Sequence, residues 1–97
     1  DGEVAKQDYG SALYWYQRSA NQGNPKAQHN LALMLAHGIG TKEDKVEAYK
    51  WFELSQSGDV MAATTEMQSL VPRMTKSEVA EAQGRAELWR ANLEWVP

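Results

Sequence analysis

The chain has no cysteine. That excludes disulfide staples, iron–sulfur clusters, thiolate zinc sites and a cysteine nucleophile, but leaves the compartment open, because an oxidising one permits disulfides without requiring them. A basic excess is also missing: 10 lysines and arginines stand against 13 acidic side chains, a net charge of −3. Nucleic-acid binders usually carry the opposite balance, so that class is disfavoured. Long apolar runs are absent too. Leu31 to Ala36 is among the longest, far short of the ~20 residues a membrane-crossing helix needs. Isoleucine occurs once and threonine 4 times, against 13 alanines and 8 leucines. Strands favour the first pair and helices the second, so an all-α fold is expected. A content of 42% hydrophobic and 24% charged residues in 97 positions describes one globular domain rather than a disordered tract.

The punctuation divides the chain into five helices. Asp8 is placed to cap a helix running to about Gln22, which Gly23 stops in the left-handed conformation. Asn24 caps a second, with Pro25 at the first helical position, where a missing amide costs nothing. It ends at His37 and Gly38. Asp44 opens a third, ending at Ser57 and Gly58, and Asp59 caps a fourth that Pro72 terminates. Thr75 and Glu78 are spaced as a capping box for a fifth, reaching about Trp95. The short connections predict antiparallel hairpins.

The sequence also repeats. A shift of 36 places Ala12 on Ala48, Trp15 on Trp51, Tyr16 on Phe52 and Ser19 on Ser55, together with Gly2 on Gly38, Lys6 on Lys42 and Asp8 on Asp44. After one deletion, Gly23 meets Gly58, Ala27 meets Ala62 and Leu35 meets Leu70. A period in the mid-thirties that holds two helices predicts a helical-hairpin solenoid, an α-α superhelix. Ala12, Trp15, Tyr16, Ser19 and Ala20 share one helical face, with both Trp15 and Trp51 expected in the core. Ala27, Leu31, Met34 and Leu35 make the answering stripe.

These residues resemble the Sel-one-like repeat family, relatives of the tetratricopeptide repeats. Ala12, Trp15, Tyr16, Ser19, Ala20, Gly23, Ala27, Gln28, Leu31, Gly38 and Gly40 match its pattern, and Ala48, Trp51, Phe52, Ser55, Gly58 and Ala62 match it again. Ala32 stands where the pattern has glycine and Leu35 where it has an aromatic. The resemblance covers about residues 2–71. It implies a protein–protein interaction scaffold or adaptor and not an enzyme. In bacteria such proteins are often exported to the envelope or secreted; in eukaryotes they belong to quality-control complexes, so a cytoplasmic location stays open.

The single repeat domain, 1–97, then divides into 2–7, the tail of a preceding repeat; 8–43, a first repeat; 44–74, a second, degenerate repeat; and 75–97, a capping helix. In that last helix Val79, Ala82, Ala86, Trp89 and Leu93 form one apolar stripe, opposite Glu78, Glu81, Arg85, Glu87 and Arg90. A start at Asp1 and a repeat tail without its helices predict a chain cut from a longer array. The first helix is then expected to expose a stacking edge containing Tyr9 and Leu13 or Tyr14, open to self-association.

Little in the sequence supports chemistry. His29 and His37 are separated by about 12 Å along one helix and about 80° around it, too far to share a metal. Gly38-Ile39-Gly40 lacks the strand, third glycine and lysine–serine pair of a phosphate loop and reads as a turn. No Gly-x-Ser-x-Gly occurs. The carboxylate pairs Glu43 with Asp44 and Glu78 with Glu81 sit near helix starts, where the helix dipole favours them. No cofactor, metal, nucleic acid or membrane insertion is expected. What remains is a surface: a protein or peptide partner on the concave face, against Lys26, His29, Leu33, Ala36, His37, Met61, Thr64 and Gln68. Lys26 and the histidines favour a mildly acidic partner that binds more tightly below pH 6. The alternatives are a purely structural C-terminal cap of a longer array and hydrolase-like activity on envelope substrates.

Overall fold

The computed structural model describes residues 2–95, and the side chains of residues 8–92. It holds five α-helices: α1 (Gly2–Asn21), α2 (Pro25–His37), α3 (Lys45–Leu54), α4 (Val60–Leu70) and α5 (Lys76–Trp95), with single 3₁₀ turns at Ser55–Ser57 and Val71–Arg73. There is no strand among the described residues. No described helix is long and apolar enough to cross a membrane.

Local chemistry sets the boundaries. Asn24, Asp44 and Asp59 each accept the amide N–H three residues on, Ala27, Glu47 and Ala62, at 3.0 Å. Each thus satisfies one of the donors a helix start leaves open. The capping box forms in both directions: Thr75 N–H donates to Glu78 Oε1 at 2.8 Å, and Glu78 N–H donates to Thr75 Oγ1 at 3.0 Å. Gly38 and Gly40 take φ of 65° and 72°, as expected of the turn between repeats.

The first helix begins six residues before the expected cap, and Asp8 lies inside it. The shift of 36 aligns Val4 with Gly40, whose φ is 72°. A β-branched residue disfavours that conformation, so the first copy of the Gly38–Gly40 turn keeps only one of its two glycines. Its residues propagate the helix instead.

The core centres on α3, which is buried on two sides: Ala48, Tyr49, Trp51, Phe52 and Leu54 are all buried. On one side lies α2, with Ala27, Leu31, Ala32 and Ala36. On another lies α5, with Ala82 and Ala86 fully buried and Val79 and Trp89 partly so. Leu93, the last residue of the expected α5 stripe, and Trp95 lie outside the residues whose side chains are described. The contacts Glu47–Arg85, Trp51–Trp89 and Glu53–Arg90 follow one order along both helices, so α5 runs parallel to α3. Ala86 and Trp89 repeat the spacing of Ala48 and Trp51 and of Ala12 and Trp15. The last helix thus lies parallel beside α3 and carries the same alanine–tryptophan spacing. Trp89 also reaches the first hairpin, where a Cβ placed on Gly23 would stand 4.0 Å from its ring.

The two repeated tryptophans do not share one environment. Trp51 is 4% exposed and meets the Trp89 ring edge-on, centroids 5.9 Å apart. Trp15, expected in an equivalent core niche, is 63% exposed. The cause is packing. The face of α3 that carries Trp51 is covered by α5, whereas α1 packs chiefly on α2 and, among the described residues, Trp15 stays 63% exposed.

Candidate functional site

Two glycines and a glutamine shape the junction between the hairpins. Gln28 is buried at the start of α2, and its Nε2 donates to the Ala20 carbonyl at 3.1 Å, tying the end of α1 to α2. Gly23, at φ 94°, makes the turn between them. Gly58 precedes α4, and a Cβ there would stand 2.8 Å from Pro25 Cβ. The start of α2 and the turn into α4 are thus held against each other by a contact only glycine allows.

Beside this contact the first turns of α2 and α4 enclose a groove of about 520 Å³, lined by Lys26, His29, Asn30, Ser55, Asp59 and Ala62 among others. His29 is half-buried and stands edge-on to Phe52, ring centroids 5.4 Å apart. Lys26 is exposed and makes no ion pair among the described residues. Asp59 is occupied by its own helix, as the acceptor from Ala62 N–H.

The expected partner-facing residues divide accordingly. Lys26 and His29 come together in the groove. Met61, 79% exposed, adjoins it beside Ala62, and Thr64 is half-buried, accepting from Gln56 Nε2 at 3.4 Å. Gln68 and His37 are exposed but lie outside the groove lining. Leu33 is half-buried against the core. Ala36 corrects the sequence reading: at 3% exposure it belongs to the core. The helix carrying it is gripped on both sides, by α1 and α3, so its last turn has less free surface than a two-stripe pattern suggests. Sequence reasoning missed Asn30, Ser55 and Trp15. Trp15 carries a packing signature, and only its exposure sets it apart from Trp51.

Electrostatics are concentrated on the other side, between α3 and α5. Arg85 donates to Glu47 at 2.6 Å and also pairs with Glu81; Arg90 pairs with Glu53 at 3.2 Å and Arg73 with Glu43 at 2.9 Å. The Arg73 hydrogen bond holds the Glu43 carboxyl below its ordinary range. Burial pushes Glu47 upward, but hydrogen bonds from Arg85 and Lys50 outweigh it and leave that carboxyl lowered. The Arg85–Glu47 and Arg90–Glu53 pairs fasten α5 to α3. No group of three metal-ligating side chains occurs among the described residues.

Two helical hairpins and a further helix in parallel register, with a groove between successive second helices, define an α-α repeat solenoid. The chain belongs to the Sel1 repeat family, which it matches over residues 1–24 and 25–55. Proteins of this family are generally protein–protein interaction scaffolds. Among curated relatives, chitin synthase regulator SKT5 of Saccharomyces cerevisiae is 33% identical over 64 residues, which is 66% of this chain and 9% of that protein. DAP3-binding cell death enhancer 1 of Rattus norvegicus and of Mus musculus is 44% identical over 41 residues, 42% of this chain and 8% of each. The chain thus spans less than a tenth of the relatives it matches. The crystal structure of c5321, a protective antigen of uropathogenic Escherichia coli with an SLR fold, superposes with a TM-score of 0.77 at 23% identity, covering 84% of this chain and 18% of that one.

Proposed function

We propose that this chain binds a protein partner along the face formed by α2 and α4, as part of an interaction scaffold. The supporting observation is the groove itself. Its first-turn side chains Lys26 and His29 make no hydrogen bond or ion pair within the described protein, while most cations elsewhere are consumed by glutamates. Polar groups left over at the mouth of a largely apolar depression are what a recognition surface requires. The test is panning of phage-displayed peptides on the protein, followed by hydrogen exchange with the strongest binder. Slowed exchange in α2, α4 and the turn before α4 is expected. Protection confined to other elements, or no enrichment over an unrelated helical protein, overturns the assignment.

Self-association has an observation of its own. Tyr9 and Tyr14, on the expected edge, are 47% and 54% exposed, although Leu13 is half-buried against the core. Sedimentation velocity is expected to reveal a concentration-dependent dimer that Tyr9→Ser with Tyr14→Ser abolishes; a clean monomer at millimolar concentration refutes it.

A further inference from the structure

The groove does not end at Lys26. A second depression, of about 410 Å³, shares Asn24, Lys26 and Asn30 with it and continues to Trp15, Tyr16 and Ser19 of α1. Together they make one trough crossing the first turn of α2, with an exposed indole at one end. Trp15 is held there. Tyr14 stands edge-on to it with centroids 5.3 Å apart, and the Arg18 guanidinium lies 6.0 Å from its ring and donates to Tyr14 Oη at 3.2 Å. An ordered, exposed tryptophan beside an arginine has the composition of a binding hot spot.

The second copy of the repeat indicates what is missing at the first. On α3, Trp51 receives the Trp89 ring, while Glu47 and Glu53 receive Arg85 and Arg90. On α1, 36 residues earlier, the carboxylates are replaced by Ser11 and Gln17. The nearby charges are instead Arg18, beside Trp15, and Lys26, in the middle of the trough. Lys45, Lys50, Arg73, Arg85 and Arg90 each reach a glutamate oxygen at 2.6–3.5 Å. Arg18, Lys26, Lys42 and Lys76 reach none among the described residues, and of these four Arg18 and Lys26 stand at the trough. The one carboxylate lining the trough, Asp59, sits at its far end and is bound to Ala62 N–H. On a chain of net charge −3, this surface thus carries two cations without a carboxylate partner, Arg18 beside the indole and Lys26 in the lining.

We infer that the trough takes an extended acidic segment of a partner protein, with a large apolar side chain seated on Trp15 and carboxylates against Arg18 and Lys26. This rests on the interaction-scaffold reading and names the chemistry of the partner. Apolar area on Trp15 supplies affinity, and the two cations exclude basic sequences.

The probe is a fluorescein-labelled decapeptide with five acidic residues and a central leucine, read by fluorescence anisotropy at low salt. Its twins carry lysine for every acid, or alanine for the leucine. The acidic peptide is expected to bind at least about tenfold more tightly than the lysine twin, and the alanine twin more weakly than its parent. Trp15→Ala and Lys26→Glu each weaken the acidic peptide by about tenfold or more with the circular dichroism unchanged. Lys42→Glu, the same charge change on an unpaired lysine beyond the opposite end of α2, weakens it less than about twofold. Equal binding of acidic and lysine peptides, or an equal loss in Lys42→Glu, overturns the proposal. So does indifference to Trp15→Ala. If the lysine twin binds and slows exchange in α2 and α4, the acidic partner falls while the scaffold reading stands; if no peptide slows exchange there, both fall.

Discussion

Trp15 and Trp51 occupy the same position in two copies of one repeat, yet truncating them is expected to have opposite consequences. Trp51 is 4% exposed, closed in by the Trp89 ring at 5.9 Å and with Lys50 Nζ 4.1 Å from its own ring centre. Replacing a buried tryptophan by alanine costs about 3–5 kcal/mol in lost burial and residual cavity. Against the total stability of a domain this size, roughly 5–15 kcal/mol, that is at least about a fifth of the reserve. Trp15 is 63% exposed, so Trp15→Ala should cost about 0.5 kcal/mol or less. Urea unfolding followed by far-ultraviolet circular dichroism reads both. At a slope of about 1–3 kcal/mol per molar, Trp51→Ala should lower the midpoint by more than about 1 M, and Trp15→Ala by less than about 0.5 M. Trp51→Phe keeps a ring against Trp89 and should fall between wild type and Trp51→Ala, which preserves the comparison if the alanine variant fails to fold. Comparable losses for Trp15→Ala and Trp51→Ala in dilute monomer would refute the difference in burial on which the trough depends.

Other perturbations follow from the same geometry. Gly84 lies within α5, and a Cβ there meets nothing within 4 Å; Gly84→Ala should raise stability by about 1 kcal/mol, seen as a higher Tm. Gly58→Ala drives a Cβ to 2.8 Å from the Pro25 ring, and a loss of about 1–3 kcal/mol in urea unfolding is expected. Asp59→Ala removes the cap on Ala62 N–H and should cost about 1 kcal/mol, with exchange in the first turn of α4 accelerated. Glu43 and Glu47 are both held below the ordinary carboxylate range. Their contribution is therefore fully present above the unfolded value of about 4.3 and disappears as pH falls through the folded values. The Tm should drop on acidification below that point, more shallowly in Glu47→Gln; an unchanged slope would show that the Arg85 contact does not respond to pH.

Most helix boundaries were legible because each rests on one or two residues with a local mechanism. Asn24-Pro25, Asp44, Asp59 and Thr75 with Glu78 all cap as their spacing indicates. The start of α1 was not, because similarity between copies is a statement about ancestry, while breaking a helix needs a specific backbone conformation. Val4 disfavours the one Gly40 supplies. The partner face was half legible. Lys26 and His29 were visible as polar residues beside a packing stripe, but Ala36 is indistinguishable by type from an alanine at the surface. Trp15 reads as core for a related reason: the side chain is the same as Trp51, and the difference is the helix that lies over it. Burial is set by tertiary neighbours, which a repeat does not encode position by position.

Trp89 has a consequence for how the molecule comes apart. Stacked helical units ordinarily touch only the next in line, so that each end can fray without involving the far one. Here the ring from the last helix rests on Trp51 and also reaches the turn at Gly23. That approach reaches past the neighbouring helix, so loosening the carboxyl-terminal helix exposes Trp51 and also uncovers one side of the turn at Gly23.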